Sequence, residues 1–223
     1  MRRVVVLAAA SLFAIAACGG TAPAGSRAPG ASGAPAATPA PPGGNVDPNT
    51  VCAGVPTFSL NTPQPSFAAD PALEARFPAS IDGNARERVR SVFFIQQQCY
   101  YSSDRASVAR FVAMFPPSSV PQISQGDADY TIDGNGVTVQ AFRIPGTDPS
   151  VIFTNLPAFL QALGRSEADI ANTSVAQQSL GGKNVFVVTS PDGGTDYSLV
   201  SGDVVFTVET DEATAGKVVA AIQ

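Results

Sequence analysis

The sequence predicts an α+β domain, in which a twisted antiparallel sheet of hairpins carries three or four helices packed mainly on one face. Short runs of β-branched and aromatic residues are separated by glycine, aspartate and asparagine, a pattern typical of antiparallel hairpins. Between these runs lie segments whose apolar residues recur three and four positions apart, which favours helices. The two patterns together indicate a mixed fold built from locally paired strands.

The strands are predicted from their β-branched residues and from the turns between them. Asp133-Gly134-Asn135-Gly136 and Gly181-Gly182-Lys183-Asn184 tolerate positive φ, so each should close a hairpin. Ser201-Gly202-Asp203 should close another, which makes the last four strands an antiparallel meander. The predicted strands are Val89–Ile95, Asp129–Ile132, Val137–Ile144, Ser174–Leu180, Val185–Thr189, Tyr197–Val200 and Val204–Glu209.

The helices are predicted from apolar spacing and from residues suited to helix ends. Asp70 before Pro71 favours a helix start, because the carboxylate accepts from exposed N–H groups and proline needs no partner there. Pro157 should kink or break the third helix. The predicted helices are Pro71–Phe77, Arg105–Phe115, Pro149–Leu163 and Asp211–Ile222, with a short turn at Ser166–Asp169.

A short motif recurs along the chain. Ile81-Asp82-Gly83-Asn84 returns about 50 residues later as Ile132-Asp133-Gly134-Asn135, and Leu180-Gly181-Gly182-Lys183 is a looser echo. A run of strand-forming residues follows each copy. The spacing predicts two related strand–strand–helix halves, with coincidence as the alternative because these residues are common in turns.

Composition excludes several classes of function. The chain has no histidine, so a Ser-His-Asp triad and a histidine-ligated zinc or haem cannot form within it. Three cysteines are too few for a four-cysteine metal site, and a net charge of −5 lacks the basic footprint of a nucleic-acid-binding protein. We expect no cofactor and no nucleic-acid partner. Carboxylate chemistry, Ser-Lys chemistry, oxygen-ligand metals and binding without catalysis remain open.

The first eighteen residues have the features of an export signal. Arg2 and Arg3 precede an apolar run over 4–17 that is too short to span a membrane, and Cys18 follows Ile15-Ala16-Ala17. This order of an aliphatic residue, two small residues and cysteine resembles the lipobox of bacterial lipoproteins. The resemblance implies that Cys18 is acylated, with chains such as palmitate, and becomes the mature N-terminus. It also implies a protein anchored to a membrane on its extracytoplasmic face.

Two further regions follow the signal. Residues 19–50 are rich in alanine, proline and glycine and cannot form a core, so they are predicted to be a disordered tether. Residues 51–223 are predicted to be a single extracytoplasmic domain. The remaining cysteines, Cys52 and Cys99, lie in this domain, and an even pair in an exported protein most often forms a disulfide. It would join the start of the domain to its first long strand.

Four groups of residues invite a functional interpretation, each with a structural alternative. Asp127, Asp129 and Asp133 could hold calcium, but the glycine and glutamate that an EF-hand loop requires are missing, so no metal site is predicted. Gly181-Gly182-Lys183 lacks the serine or threonine of a phosphate-binding loop and favours a turn. Acidic pairs suited to glycoside cleavage cannot be recognised from sequence. Arg86, Arg88 and Arg90 alternate along a predicted strand and could meet an anionic partner, with a solvated face as the alternative.

The globular part also resembles poorly characterised exported bacterial lipoproteins. The resemblance rests on an opening such as Phe77-Pro78-Ala79-Ser80-Ile81-Asp82-Gly83 and on Gly181-Gly182-Lys183, Gly202-Asp203 and a final helix. It implies a fold and a location without an activity. We therefore expect a lipid-anchored, non-catalytic domain that binds a protein partner, a lipid or a small ligand. The alternatives are an exported carboxylate-dependent hydrolase and a structural lipoprotein of the cell envelope.

Overall fold

A computed structural model describes residues 47–56, 58, 65–101, 105–162 and 165–223 of the chain. The signal and Cys18, and the tether as far as residue 46, lie outside the described residues, so the predictions made for them stay predictions. The first helix begins at Pro48, just inside the region assigned to the tether. Asp47 starts it by accepting a hydrogen bond from the Asn49 backbone N–H at 2.9 Å.

The described residues form the predicted α+β fold around one antiparallel sheet of seven strands, in the order β3-β4-β5-β9-β8-β7-β6. A separate ribbon pairs β1 with β2. The last four strands form the predicted meander, since β6, β7, β8 and β9 pair in succession. The strands are β1 (Ser80–Ile81), β2 (Asn84–Ala85), β3 (Arg88–Phe93), β4 (Ser124–Ile132), β5 (Asn135–Arg143), β6 (Ser174–Leu180), β7 (Lys183–Thr189), β8 (Thr195–Ser201) and β9 (Val204–Glu209).

Eight α-helices flank this sheet within the described residues, and several are a single turn. The cap predicted for the second helix is present, because the Asp70 carboxylate accepts from the backbone N–H groups of Ala72 and Leu73. Ser166 and Asp211 cap the last two helices in the same way. The helices are α1 (Pro48–Val51), α2 (Pro71–Glu74), α3 (Phe94–Tyr101), α4 (Arg105–Val112), α5 (Val151–Thr154), α6 (Leu156–Ala162), α7 (Glu167–Asn172) and α8 (Glu212–Ala221).

The sheet separates two hydrophobic clusters. Alternate residues of a strand point to opposite faces, so Val204 and Phe206 of β9 join one cluster while Val205 joins the other. The first cluster holds α2, α8 and the β1–β2 ribbon, and we call this side the α8 face. The second holds residues of α1 and α3 to α7, and we call it the helix-rich face. Most helices therefore pack on one face, as the sequence predicts.

The repeated motif folds into the same turn twice. Asp82 and Gly83 have φ of 50° and 79°, and Asp133 and Gly134 have φ of 51° and 80°. Positive φ at both central residues is the hairpin geometry that these residue types favour. The surroundings differ, because the first turn closes a ribbon of two-residue strands and the second closes two nine-residue strands. The described architecture therefore repeats the turn but not a complete strand–strand–helix half.

Several predicted element boundaries were wrong. The strand predicted from Asp129 begins at Ser124, and the helices predicted to reach Phe77 and Phe115 end at Glu74 and Val112. The strand predicted to run to Ile95 ends at Phe93, and the segment that contains Cys99 is helix α3. The helix predicted over 149–163 breaks at Asn155 rather than at Pro157. Pro157 is the second residue of α6, where a backbone N–H has no helical partner and proline is tolerated.

The predicted disulfide is present between Cys52 and Cys99, whose Cα atoms are 5.3 Å apart. Both cysteines are buried in the core of the helix-rich face. The bond joins the segment that follows α1 to helix α3, instead of to a strand. It therefore fixes the first turn of the described fold against the main body of the domain.

A buried ion pair ties α2 to the sheet. Asp70 Oδ2 accepts from Ser124 Oγ of β4 at 2.6 Å and from Arg143 Nη1 of β5 at 3.1 Å. Arg143 Nε donates in turn to Asp203 Oδ2, in the β8–β9 turn, at 2.9 Å. Burial alone raises the pKa of Asp70, but the hydrogen bonds from Ser124, Arg143 and Leu73 outweigh it and hold the pKa below its ordinary value.

We expect Asp70→Ala to lower the free energy of unfolding by about 3–5 kcal/mol, because it leaves Arg143 half-buried and short of a partner. Urea denaturation at neutral pH measures this loss. Asp211→Ala is the matched control, since it removes a capping aspartate that no buried cation contacts, and it should cost clearly less. Equal losses in the two variants would contradict a special role for the Asp70–Arg143 pair.

The lowered pKa of Asp70 also fixes the pH dependence of its contribution. A carboxyl with a depressed pKa stabilises the fold above its unfolded pKa and loses that contribution as pH falls through the folded value. We therefore expect the difference in unfolding free energy between wild type and Asp70→Ala to shrink as pH drops below about 4. Urea titrations across this range measure it, and a difference that grows on acidification would contradict the assignment.

Candidate functional site

An apolar groove lies on the helix-rich face, where α1, the β3–α3 junction and the end of α4 meet. Its volume is about 750 Å³. Fourteen side chains of the described residues line it, of which only Thr50 and Gln96 are polar and none is charged. The lining residues are Thr50, Val51, Ala53, Val55, Phe93, Ile95, Gln96, Val112, Ala113, Phe115, Pro116, Pro117, Val120 and Pro121.

The walls of the groove follow from the local structure around it. The disulfide at Cys52 holds α1 in place, and Arg105 Nη2 donates to the Val55 carbonyl at 2.9 Å, which ties the loop after α1 to the start of α4. The Phe94 N–H donates to the Ile123 carbonyl at 2.9 Å and closes the opposite side. Pro116, Pro117 and Pro121 contribute apolar rings without N–H donors.

The groove has the character of a site for an apolar ligand. Small-molecule sites have volumes of about 300–1,000 Å³ and are lined mainly by apolar side chains with a few polar groups. Thr50 Oγ1 already donates to Asp47 Oδ2 at 3.4 Å. Gln96 is exposed, and within the described residues its side-chain amide makes no hydrogen bond. It is therefore the polar group best placed to bind a ligand's carbonyl or hydroxyl.

The structure separates the three arginines predicted to share a face. Arg88 and Arg90 lie on the helix-rich side of β3 and pair with Asp129 at 2.5 Å and Asp127 at 2.8 Å. Arg86 precedes the strand, and its Nη1 donates to the Glu74 and Phe77 carbonyls next to α2, on the other face. The three side chains therefore do not form one basic patch, because the strand begins only at Arg88.

The aspartates considered as calcium ligands form ion pairs with basic side chains. Asp127 and Asp129 accept from Arg90 and Arg88, as above, while Asp133 Oδ2 lies 2.7 Å from Lys217 Nζ. Lys217 also reaches Asp82 Oδ2 at 2.9 Å, so one lysine joins the two copies of the repeated turn. Its hydrogen bonds to Asp133 and Asp82 raise the pKa of Lys217. Among the described residues, no three acidic or cysteine side chains lie together as a metal-ligand set.

Gly181-Gly182 forms a hairpin turn, as predicted, with φ of 56° and 77°. Lys183 Nζ donates to the Val219 and Ile222 carbonyls at the end of α8, where helix carbonyls lack helical partners. A side chain on Gly181 would come within 2.6 Å of the Gly216 carbonyl, so the turn packs directly on this helix. Lys183 therefore stabilises the fold by binding the end of α8, and we assign it no role in phosphate binding.

One buried carboxyl group could not be recognised from the sequence. Asp196 of β8 is only 7% exposed and lies opposite Glu209 of β9 in the sheet. Burial raises the pKa of Asp196 to about 7, with further contributions from the charges of Glu209 and Asp192 and a partial offset from Arg165. Raised carboxyl pKa values occur in catalytic pairs, but neither Asp196 nor Glu209 lines the apolar groove. The two features are separate candidates.

The sequence also left the groove unpredicted. Its walls come from residues 50–55, 93–96 and 112–121, which are brought together only by long-range packing. The clearest local signal is the density of proline and apolar residues in Phe115-Pro116-Pro117 and Val120-Pro121, in a segment with no strand or helix period. Such a segment exposes apolar surface unless another element covers it.

The titration of Asp196 should be visible in the stability of the fold. A raised carboxyl pKa stabilises the fold below the unfolded pKa, and this contribution is lost as pH rises through the folded value near 7. Asp196→Asn keeps the shape and cannot ionise. We expect it to unfold like wild type near pH 4 and to be more stable near pH 8, by an amount of the order of 3 kcal/mol.

Urea midpoints at the two pH values measure this difference. Asp148→Asn is the control, because it removes the same charge from an exposed turn. An Asp196→Asn variant with the same advantage at both pH values would contradict the raised pKa.

No helix among the described residues is long and apolar enough to cross a membrane. Comparisons of the chain with protein-family models, with curated proteins and with solved structures found no match. The resemblance to exported lipoproteins therefore rests on the lipobox and on the turn residues of the domain alone.

Proposed function

We propose that this protein is a lipid-anchored extracytoplasmic lipoprotein whose domain binds an apolar ligand, such as the acyl chain of a lipid, without catalysing a reaction. The observation that carries the proposal is the uncharged groove of about 750 Å³. The sequence leaves a protein partner, a lipid and a small ligand as alternatives. A concave site of this size favours the last two, because a protein partner usually meets a flatter surface.

The chemistry of the lining selects the ligand class. With no charged side chain among the described residues that line the groove, an ionised group placed inside it would lose its hydration without gaining an ion pair from them. An acyl chain loses nothing on leaving water and gains about 25 cal/mol for each Å² of apolar surface buried. The exposed amide of Gln96 suits an ester, amide or hydroxyl group at the end of that chain.

The proposed anchor places the groove near a source of such ligands. An acylated Cys18 would hold the chain on a membrane, and a flexible tether of this length spans roughly 30 Å. Helix α1, which begins within the last residues assigned to the tether, is itself a wall of the groove. Membrane lipids would thus lie within reach of the groove while the domain stays in solvent.

The carboxylate hydrolase remains the second candidate, and one observation favours it. Asp196 and Glu209 are cross-strand neighbours, and the pKa of Asp196 is raised to about 7, which suits a general acid. The groove favours binding over catalysis because the described part of its lining contains no carboxylate, hydroxyl–base pair or thiol. A hydrolytic activity that is lost in Asp196→Asn and kept in groove variants would favour the hydrolase over the binding domain.

Filling the groove should abolish binding. Ala113→Trp places an indole in the groove, so we expect the affinity for an uncharged fluorescent acyl ester to fall at least about tenfold. Fluorescence titration of the delipidated full-length protein in detergent measures the dissociation constant. Ala53→Trp fills the groove from an exposed position and provides a second variant that does not disturb the core.

Ala213→Trp is the matched control, because Ala213 is exposed on α8, on the opposite face of the sheet. It should bind the probe like wild type. Wild-type affinity in both groove variants would overturn the proposed site, and an equal loss in all three variants would point to the detergent or to general instability.

The anchor is tested separately at its acylated residue. Cys18→Ala removes the thiol that a lipobox cysteine would use, so the protein should leave the membrane fraction and appear in the soluble extracytoplasmic fraction. Fractionation followed by immunoblotting measures this. A Cys18→Ala protein that stays with membranes after high-salt washing would contradict the lipoprotein assignment. It would not bear on the ligand proposed for the groove.

A further inference from the structure

The two edges of the seven-stranded sheet are protected to very different degrees. At one edge, β3 carries Arg88 and Arg90, and its Phe93 N–H donates to the Ala68 carbonyl at 3.1 Å. Charged side chains and a covering loop are common ways of preventing a second chain from pairing. At the other edge, β6 has no charged residue and no proline, and its pairing with β7 is continuous from Ser174 to Leu180 without a bulge.

The edge of β6 is also exposed. Five of its seven residues are exposed to solvent, and Val175 is one of two large apolar side chains that stay exposed among the described residues, at 41%. Neither α7 nor α8 covers the outer edge, because α8 packs on one face of the sheet and α7 joins the cluster on the other. A seven-residue strand of this kind presents unused backbone donors and acceptors.

The hairpin turn determines which backbone groups point outward. Leu180 and Lys183 flank the two-residue Gly181-Gly182 turn, so they form a hydrogen-bonded pair. Hydrogen-bonded and non-bonded positions alternate along an antiparallel strand. The backbone N–H and C=O groups of Gln178 and Ala176 therefore also face β7. The N–H and C=O groups of Val175, Gln177 and Ser179 therefore point away from the sheet.

We propose that β6 pairs with β6 of a second copy of this chain, antiparallel, about a two-fold axis at Gln177. In this register Gln177 lies opposite Gln177 of the copy, and Val175 lies opposite Ser179. All three outward-facing residues then exchange both backbone hydrogen bonds with the copy. The side-chain amide of Gln177 is both donor and acceptor, so it can pair with its own equivalent.

A second copy fits this edge better than a charged or irregular peptide. The strand is uncharged, so an identical strand can approach it without repulsion between like charges, although the chain as a whole has a net charge of −5. An isologous two-fold contact closes on itself and uses up the free edge of both copies. The groove lies at the β3 side of the sheet and stays open in such a dimer. If the proposed anchor holds, confinement to one membrane raises the effective concentration of the copies.

Cysteine crosslinking of the full-length protein in membranes tests both the contact and its register. Gln177→Cys places two thiols on Cα atoms about 5.5 Å apart, which a disulfide can join. Val175→Cys is the matched control, because its thiol and that of the copy would lie about 13 Å apart along the strands. Combining Val175→Cys with Ser179→Cys should restore crosslinking, since each thiol then meets the other. Oxidation and non-reducing electrophoresis, with wild type as background, separate monomer from dimer.

The expected pattern is a covalent dimer for Gln177→Cys and for the double variant, and only background for either Val175→Cys or Ser179→Cys alone. Equal crosslinking in all variants would mean random collision, and no crosslinking in any would mean a free edge. Either result overturns the proposal, as does a Gln177→Cys adduct with a different protein.

A charge at the same position gives an independent check. Adding Gln177→Lys to the Val175→Cys/Ser179→Cys variant puts like charges opposite each other and should abolish its dimer, whereas Gln177→Thr should keep it. A covalent dimer that still forms when Gln177→Lys is added would contradict the proposed register.

Discussion

The hydrogen bonds of the Asp70 carboxylate join α2 to two strands of the sheet and, through Arg143, to a distant turn. One oxygen caps α2, and the other accepts from Ser124 and Arg143, on the neighbouring strands β4 and β5. The Asp70 N–H donates to Ser91 Oγ, which adds β3, and Arg143 extends the network to Asp203 in the β8–β9 turn. A buried charge of this kind tolerates few alternative arrangements, because any other register would leave it without partners. The end of β3, where the chain turns into α3 and one wall of the groove begins, is positioned by this network.

The two faces of the sheet are covered by different elements, and this difference determines where the groove lies. The α8 face is closed by a single regular helix, a short helix and a ribbon, and its core is continuous. The helix-rich face is covered by short helices joined by proline-containing loops, and beyond them it becomes a polar surface on which Arg88, Asp129 and Thr138 form a ladder of charges and hydroxyls. The groove lies among these short helices, where α1, the β3–α3 junction and the end of α4 meet.

The elements that the sequence could predict depend on interactions between near neighbours. The Asp82-Gly83 and Asp133-Gly134 turns and the caps at Asp70 and Asp211 follow from one or two residues and their own backbone. The elements it could not predict depend on distant contacts. Phe94–Tyr101 has strand-like residues at its start, yet it folds as a helix because Phe94, Ile95 and Cys99 then share one buried side. The groove and the burial of Asp196 need several such segments at once, and no local pattern encodes them.

The disulfide has a mechanical consequence for a protein pulled from its N-terminus. Tension applied through residues 1–46 would enter the described fold at α1 and reach Cys52 within a few residues. From there a covalent bond carries the load directly to Cys99, in the middle of α3. The intervening chain, which includes α2, the ribbon and β3, is bypassed and bears almost none of the force. Stretching would therefore draw α1 straight before it loads the chain between the two cysteines, which includes Asp70 and the β3 wall of the groove.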